Sequence, residues 1–415
     1  MAQAPGSGRQ AAMPFILVTV LLDMVAIGLI VPVLPLIVGR FTASPTEQTF
    51  WFGAVTFTFG VANFFASPIL GALSDRYGRR PVLLLGFCGL ATSFIVTGLA
   101  TALWMLIAVR LFSGAMQANA AVANAYVADI TAPADRARRF GLLGAMFGLG
   151  FILGPAMGGL LGAIDIHLPF FAAGTLAIAN WLYGFFVLPE SLPPERRRAF
   201  EWRRANPFAA LRRLGALKGV GPLIAVIALA NLAQFTLHSS WVLHNAFKFG
   251  WGPAENGWSL FVVGVMSALV QGVLLRHLLK RFSPQRLATV GLIASALTYL
   301  GFGLATQGWM IFVVIVVGTL LGGGAQAAIQ SLVSNAADAH SQGQTAGSVA
   351  SLTSLMAVLA PTIAAPLLGI VSHLPRGDMR IGLPFFFCAL LQAAGAIIAF
   401  LHFRRQRAGH APATA

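Results

Sequence analysis

The stretch Gly71-Ala72-Leu73-Ser74-Asp75-Arg76-Tyr77-Gly78-Arg79-Arg80-Pro81 decides the fold. It sets Arg76, Arg79, Arg80 and Asp75 between two apolar runs, Trp51 to Leu73 and Pro81 to Ala100. Each run is long enough to cross a bilayer, which takes about 20 residues. A dense charge cluster between two such runs reads as a tight cytoplasmic turn between membrane helices.

The same pattern continues outward in both directions. Of the 415 residues, 57% are hydrophobic and 9% charged, with a mean hydropathy of +0.80; no soluble domain is built this way. Spanning runs recur from end to end: Pro14 to Val38, Leu103 to Tyr126, Phe140 to Ile164 and Leu168 to Leu188 complete a first set. A second set comprises Val220 to Leu243, Gly257 to Leu279, Leu287 to Ala305, Trp309 to Val333, Gly347 to Val371 and Ile381 to Phe403. Lipid cannot satisfy free backbone groups, so the expected structure is an all-α integral membrane protein with about twelve helices.

A net charge of +15 would suit a nucleic-acid binder, but the basic residues are distributed over alternate short loops. Arg9, Arg76/Arg79/Arg80, Arg136/Arg138/Arg139, the segment Arg196 to Lys218, Arg276/Lys280/Arg281/Arg286 and Arg404/Arg405/Arg407 fall on one side. Arg40, Lys248, Arg376 and Arg380 fall in the opposite loops. This asymmetry places both termini in the cytoplasm and excludes a nucleic-acid partner. The apolar run after Arg9 outlasts a signal-peptide core of about 7–15 residues and is read as a retained first helix. Cys88 and Cys388 lie inside expected helices with no pairing or metal-ligand spacing, so both are assigned to packing.

Leu99-Ala100-Thr101-x-x-Trp104-Met105 returns as Leu304-Ala305-Thr306-x-x-Trp309-Met310 at the matching turn of the second set. The chain therefore divides into six-helix halves, residues 1–188 and 220–415, joined by a cytoplasmic linker, 189–219. Parallel repeats with a site near the midplane are the architecture of one transporter class. Within the linker, Phe208, Leu211 and Leu214 alternate with Arg212, Arg213 and Lys218, as in a short helix lying on an anionic membrane surface.

Intramembrane charge is rare and marks function by default. Asp23 alone among the acids lies well inside a helix, in Leu22-Asp23-x4-Gly28-x3-Pro32-x2-Pro35, and is the candidate proton carrier. Fixing helix packing by hydrogen bonds is its bland alternative. Arg110 in helix four is the matching cation; it controls a nearby carboxylate electrostatically or forms a structural ion pair, and Asp23 is one candidate partner. Gly150-x3-Gly154-Pro155-x2-Gly158-Gly159 places small residues on nearly one face of helix five, allowing close approach of a neighbour while Pro155 bends the backbone. Gln117, Asn119, Asn124, Asn231, Gln234, His238, Gln326 and Gln330 are the candidate lining of a substrate cavity, with interhelical hydrogen bonding as the alternative for each. His244 reads as interfacial, and Gly322-Gly323-Gly324 as part of helix ten.

Gly-x-Leu-x-Asp-Arg-x-Gly-Arg-Arg at 71–80 resembles the signature loop of major facilitator superfamily (MFS) transporters, and the helix-five pattern resembles the motif of that superfamily's drug:proton antiporters. Leu22-Asp23-x4-Gly28-Leu29-Ile30-x-Pro32-Val33-Leu34-Pro35, Phe147-Gly148-Leu149-Gly150, Trp241-Val242-Leu243, Phe249-Gly250-Trp251 and Leu188-Pro189-Glu190-Ser191 are similar to twelve-helix tetracycline efflux transporters. The resemblance covers nearly the whole chain. It implies exchange of a metal–tetracycline complex for protons across the inner membrane by a protein needing no cofactor or resident metal, with a monomer as the functional unit. It implies a gating loop of Gly71, Asp75, Arg76, Gly78, Arg79 and Arg80, with Arg79 paired to Asp129 and Asp75 at a contact with helix eleven. Ser93 and Ser295 stand where those transporters carry carboxylates in helices three and nine, and their helix-eight histidine is replaced here, near Ser267. The alternative is therefore an MFS exporter of a different small molecule. No His-Glu-x-x-His, paired cysteines or Gly-Lys-Ser/Thr phosphate loop is present, against a hydrolase or an ATP-driven pump.

Overall fold

A computed structural model of the protein describes residues 7–117, 119–132, 135–200, 208, 221–335 and 342–409. Among these residues no strand occurs, and twelve helices are long and apolar enough to span a membrane. They are α1 (Ala12–Gly39), α2 (Pro45–Tyr77), α3 (Arg79–Gly98), α4 (Leu103–Ile130), α5 (Arg138–Ile164) and α6 (Leu168–Val187), then α7 (Gly221–Phe249), α8 (Pro253–Arg281), α9 (Pro284–Leu304), α10 (Gly308–Leu332), α11 (Ser348–Val371) and α12 (Met379–Gln406). The surface helix expected at 207–218 lies outside the described residues, Phe208 excepted.

The chain forms two compact units. The first joins Met1–Ser44 and Ala54–Pro207 with Gly252–Gly264 from the start of α8. Its core sets Ile16 and Val20 of α1 against Leu83 and Phe87 of α3, Tyr126 of α4 and Leu143 of α5. The second joins Phe208–Trp251 and Val265–Ala415 with Pro45–Gly53 from the start of α2. There Val226, Leu292, Ile329, Met356 and Phe403 interlock. Large apolar side chains such as Leu85, Ile164, Phe186, Leu297 and Leu390 are exposed, an outward face that suits acyl chains.

Several helices are interrupted, each with an identifiable cause. Pro32 has no N–H, and the helix of α1 stops at Ile30 and resumes at Leu34. α4 opens between Met116 and Asn119, with Gln117 at φ −89°, ψ 78°; its carbonyl is met by Asn63 Nδ2 of α2 at 2.6 Å. α8 carries a π-turn at Val270–Leu274. Helix ten does not run through its glycine triplet: it ends at Gly322 and restarts at Ala325, because consecutive glycines weaken helical propensity most.

The duplicated motif folds the same way twice. Thr101 Oγ1 donates to Met105 Sδ at 3.6 Å, and Thr306 Oγ1 to Met310 Sδ at 3.6 Å. Trp104 and Trp309 are both exposed at these helix starts, where an amphipathic ring suits a membrane interface.

Candidate functional site

The charged turn is built around Gly78, whose φ of +108° a side chain would strain. A Cβ there would also collide with the Glu190 carboxylate. Glu190 uses the space to cap α3, accepting from the backbone N–H of Arg79 at 2.9 Å and of Arg80 at 3.2 Å. It further accepts from Ser191 N–H at 2.9 Å and Leu192 N–H at 3.0 Å, so one carboxylate fixes both the start of α3 and the exit from α6. Arg79 is buried and engaged through two of its nitrogens: Nε donates to Asp129 Oδ2 at 3.0 Å, while Nη1 donates to Asp75 Oδ1 at 2.7 Å and to Ser74 Oγ at 2.6 Å. Ser191 Oγ donates to the same Asp129 oxygen at 3.3 Å. Arg80 donates to the Phe185 carbonyl, Arg76 stacks on Tyr77, and Gly71 faces open space. The ends of α2, α3, α4 and α6 are thereby tied through one guanidinium. Sequence reading named Asp129 but gave Glu190 no role; its place six residues before the basic run at Arg196 carries no local signal of a cap on α3.

Deeper in the first unit, Asp23 is 4% exposed and accepts from Asn119 Nδ2 at 3.1 Å. Thr19, Leu83, Phe87, Ala123 and Phe147 wall the pair, leaving a void of about 10 Å3, room for a single water at most. Asn119 reaches Asp23 past Gly86 of α3, where any Cβ would meet the Asn119 side chain. Gly86 escaped the sequence reading, since a lone glycine in an apolar helix has many explanations. Arg110 does not pair with Asp23. Among the described residues its buried guanidinium has no hydrogen-bond partner at Nη2, and only its carbonyl is used, by Ser113. Asn119 has taken the place expected of the arginine, because a short neutral amide fits beside Gly86 without a second buried charge to desolvate.

The glycine face of α5 meets the expectation of close approach. A Cβ on Gly154 would lie 2.6 Å from Gly28 Cα of α1, and one on Gly158 would collide with the Leu29 carbonyl. Gly150 faces Met24, one residue from Asp23, so the same contact that draws α1 onto α5 positions the carboxylate. Pro155 sits in this face, and Gly159 turns to Gly257 of α8 instead. The helix is continuous from Arg136 to Ile164 around Pro155.

The polar candidates separate. Asn124 and Asn231 each donate to their own helix, to Ala120 O at 2.8 Å and Ile227 O at 2.9 Å. Gln234 and His238 are exposed and bonded to each other at 2.9 Å, and Tyr299 Oη donates to Gln234 Oε1 at 2.9 Å. Gln326 and Gln330 are exposed beyond the break in α10, and Gln117 forms the break in α4. Ser93 is 1% exposed with its hydroxyl unpartnered, whereas Ser295 bonds Gly291 O at 2.9 Å.

Three placements differ from expectation. α7 runs on to Phe249, so Lys248 is a buried residue of its last turn, its Nζ donating to Gly303 O at 2.6 Å at the end of α9; an ammonium is stable where it neutralises helix C-terminal carbonyls. His244 is fully buried, enclosed by Phe249 and Phe385, and not interfacial. Cys88 is exposed on the outer face of α3, while Cys388 is packed, donating to Ala233 O at 3.3 Å.

The family model of the Major Facilitator Superfamily matches residues 16–361. The chain is 39% identical to the tetracycline resistance protein, class C, of Escherichia coli, over 85% of this chain and 88% of that one. It is 38% identical to the class D protein of Salmonella ordonez over 84% and 87%, and 33% identical to the class B protein of Escherichia coli over 90% and 93%. Among solved structures, a bacterial homologue of the human lysosomal transporter Spinster aligns with a TM-score of 0.76 at 17% identity, covering 97% of this chain and 98% of that one. The human organic anion transporter MFSD10 aligns at 0.70 and 23%, covering 96% and 100%; at such identities these two speak for the fold alone. With twelve spanning helices and a family match over most of its length, the chain belongs to the Major Facilitator Superfamily, a family of multi-pass membrane transporters and not of enzymes.

Proposed function

We propose that this protein exports tetracycline, or a closely similar amphipathic drug, in exchange for protons. The observation that carries the reading is Asp23, a single buried mid-helix carboxylate in a chain up to 39% identical to tetracycline resistance proteins. Among the described residues it is the one carboxylate so placed to take a proton, and its amide partner Asn119 can bond to either protonation state. Halves 1–188 and 220–415 rock about a midplane site, the linker 189–219 lies in the cytoplasm with both termini, and the monomer works alone in the inner membrane. The substrate enters as a metal complex against Gln117, Gln234, His238, Gln326 and Gln330. Arg79, with Asp75, Asp129 and Glu190, forms a latch at the cytoplasmic end that breaks and re-forms in each cycle.

Export of a different small molecule is the second reading, favoured by Ser93 and Ser295, neither of which supplies a charge. Energised tetracycline transport into inverted membrane vesicles, with divalent metal and with or without a protonophore, separates the two. Protonophore-sensitive accumulation supports the first reading; no accumulation, with transport of another drug from a panel, supports the second.

A further inference from the structure

Four-residue spacing puts Thr236, Ser240, His244 and Lys248 on one face of α7, a file about 18 Å long. None of the four is more than 1% exposed. α12 and α9 pack along this stretch of α7: the His244 and Phe385 ring centroids are 4.3 Å apart, Lys248 bonds Gly303 O, and toward the Thr236 end Cys388 bonds Ala233 O and Tyr299 bonds Gln234. Such a file inside a lipid-surrounded helix group is costly, and its hydrogen bonding is incomplete. Thr236 Oγ1, Ser240 Oγ, His244 Nε2 and, from α12, Gln392 Oε1 are buried without a partner. A helical hydroxyl ordinarily bonds the carbonyl four residues back, as Thr58, Thr92, Thr175 and Thr289 do in this protein. Thr236 and Ser240 do not, so their hydroxyls are available to something else. Groups of this kind in native proteins are met by internal water.

The histidine gives the file a direction. His244 Nδ1 lies 3.1 Å from Asn245 Oδ1, an acceptor, so Nδ1 carries the hydrogen and Nε2 presents a bare lone pair. We propose that a file of water occupies the seam between α7 and α12, and that His244 Nε2 relays protons along it between the Lys248 end and the Thr236 end. A hydrated proton arriving at Nε2 forms the N–H bond as its O–H bond breaks and leaves water behind; on release Nε2–H breaks and the proton passes to the next water. Nδ1–H stays on Asn245 throughout. The ionisable groups along the file are Lys248, one turn from the imidazole on α7, then Cys388 of α12 and Tyr299 of α9 toward the Thr236 end, where they bond Ala233 O and Gln234, and Arg376, Asp378 and Arg380 about the start of α12. Asp378, outside the span, is engaged by Arg380 at 2.8 Å. Lys248 is held on Gly303 O, which leaves His244 as the exchanging group. The proposal deepens the proton-coupled reading and rests on it.

Two measurements test it. In a Cys88→Ser, Cys388→Ser parent, Ser240→Cys is exposed to a small water-soluble methanethiosulfonate, which reacts with the thiolate form and hence only with a hydrated thiol. Labelling is expected; an unreactive thiol means a dry seam and overturns the proposal whatever the transport result. Reconstituted His244→Gln and His244→Phe are then compared with the unaltered protein for tetracycline accumulation driven by a pH gradient and for gradient-free counterflow. Loss of driven accumulation with counterflow retained is expected of both. Driven accumulation and its pH profile unchanged in either variant overturn the relay. Counterflow serves as the folding control. If the unaltered protein shows no counterflow, the substrate reading has failed, and the labelling result still decides the hydrated seam.

Discussion

Gly86→Ala offers a sharp test of how Asp23 is held. The added methyl would overlap the Asn119 side chain and approach the Met116 carbonyl to 3.2 Å. Backbone cannot yield as a side chain does, so Asn119 swings away and Asp23 loses the 3.1 Å bond. A hydrogen bond to a charged group contributes about 1.5–3 kcal/mol, and a buried group left bare forfeits a similar amount. Asn119→Ala removes the same bond directly and empties the space that the Gly86 methyl would enter. Gly86→Ala should therefore destabilise the parent by about 2 kcal/mol and the Asn119→Ala protein by almost nothing, a coupling far above the ~0.5 kcal/mol scatter of independent sites. Unfolding free energies in mixed micelles for both single variants and the double variant close the cycle. Additive effects would refute the argument and shift the blame to the Met116 carbonyl.

Asp23→Asn keeps an acceptor for Asn119 but cannot exchange a proton; driven export should vanish while counterflow survives, and full protonophore-sensitive export in vesicles would end the carrier assignment. Arg79→Lys cannot serve Asp129, Asp75 and Ser74 at once, so turnover should fall more than substrate affinity, as read from transport rates against equilibrium binding. Glu190→Ala strips the α3 cap and should lower stability by about 1–2 kcal/mol, with Glu190→Gln intermediate, by the same micellar unfolding. Gly158→Val would drive α1 off α5 at Leu29 and abolish transport, whereas Gly148→Val, with no atom within 4 Å of its Cβ, should leave transport intact.

Charge and small-residue patterns were legible in the sequence because each works through neighbours on the same loop or helix face. The turn at 71–81 announces itself by alternating with apolar runs, and Arg79 finds Asp129 as the resemblance implied. Gly150, Gly154 and Gly158 share a face by spacing alone, and the partner they admit is α1. The rest was hidden for one physical reason: it depends on contacts between distant helices. Asp23 and Asn119 are 96 residues apart, and the choice of Asn119 over Arg110 is made by Gly86, on a third helix. The polar letters after Leu243 resemble a loop because nothing in the sequence reveals Gly303 O, the acceptor that lets Lys248 remain in a buried helical turn.

Duplication gave both units one scaffold, down to the matched Thr101–Met105 and Thr306–Met310 bonds, but not one chemistry. Among the described residues, the buried acidic and basic side chains of the first unit are Asp23 on α1, Arg79 at the start of α3 and Arg110 on α4; those of the second are His244 and Lys248, both on α7. α7 occupies in its half the position α1 holds in the other, so the acid and the bases lie on corresponding helices. A carboxylate is neutral when it carries the proton, and an imidazole is charged when it does. Taking up a proton thus removes a charge in the first unit and adds one in the second. A chain that kept Asp23 alone could couple protonation only to the unit that holds it. Replacing both Asp23 and His244 should therefore be no worse for driven export than replacing Asp23 alone, because a relay without an acid to serve has nothing to deliver. Residual driven export in Asp23→Asn that His244→Gln then removes would mean that the second unit couples by itself.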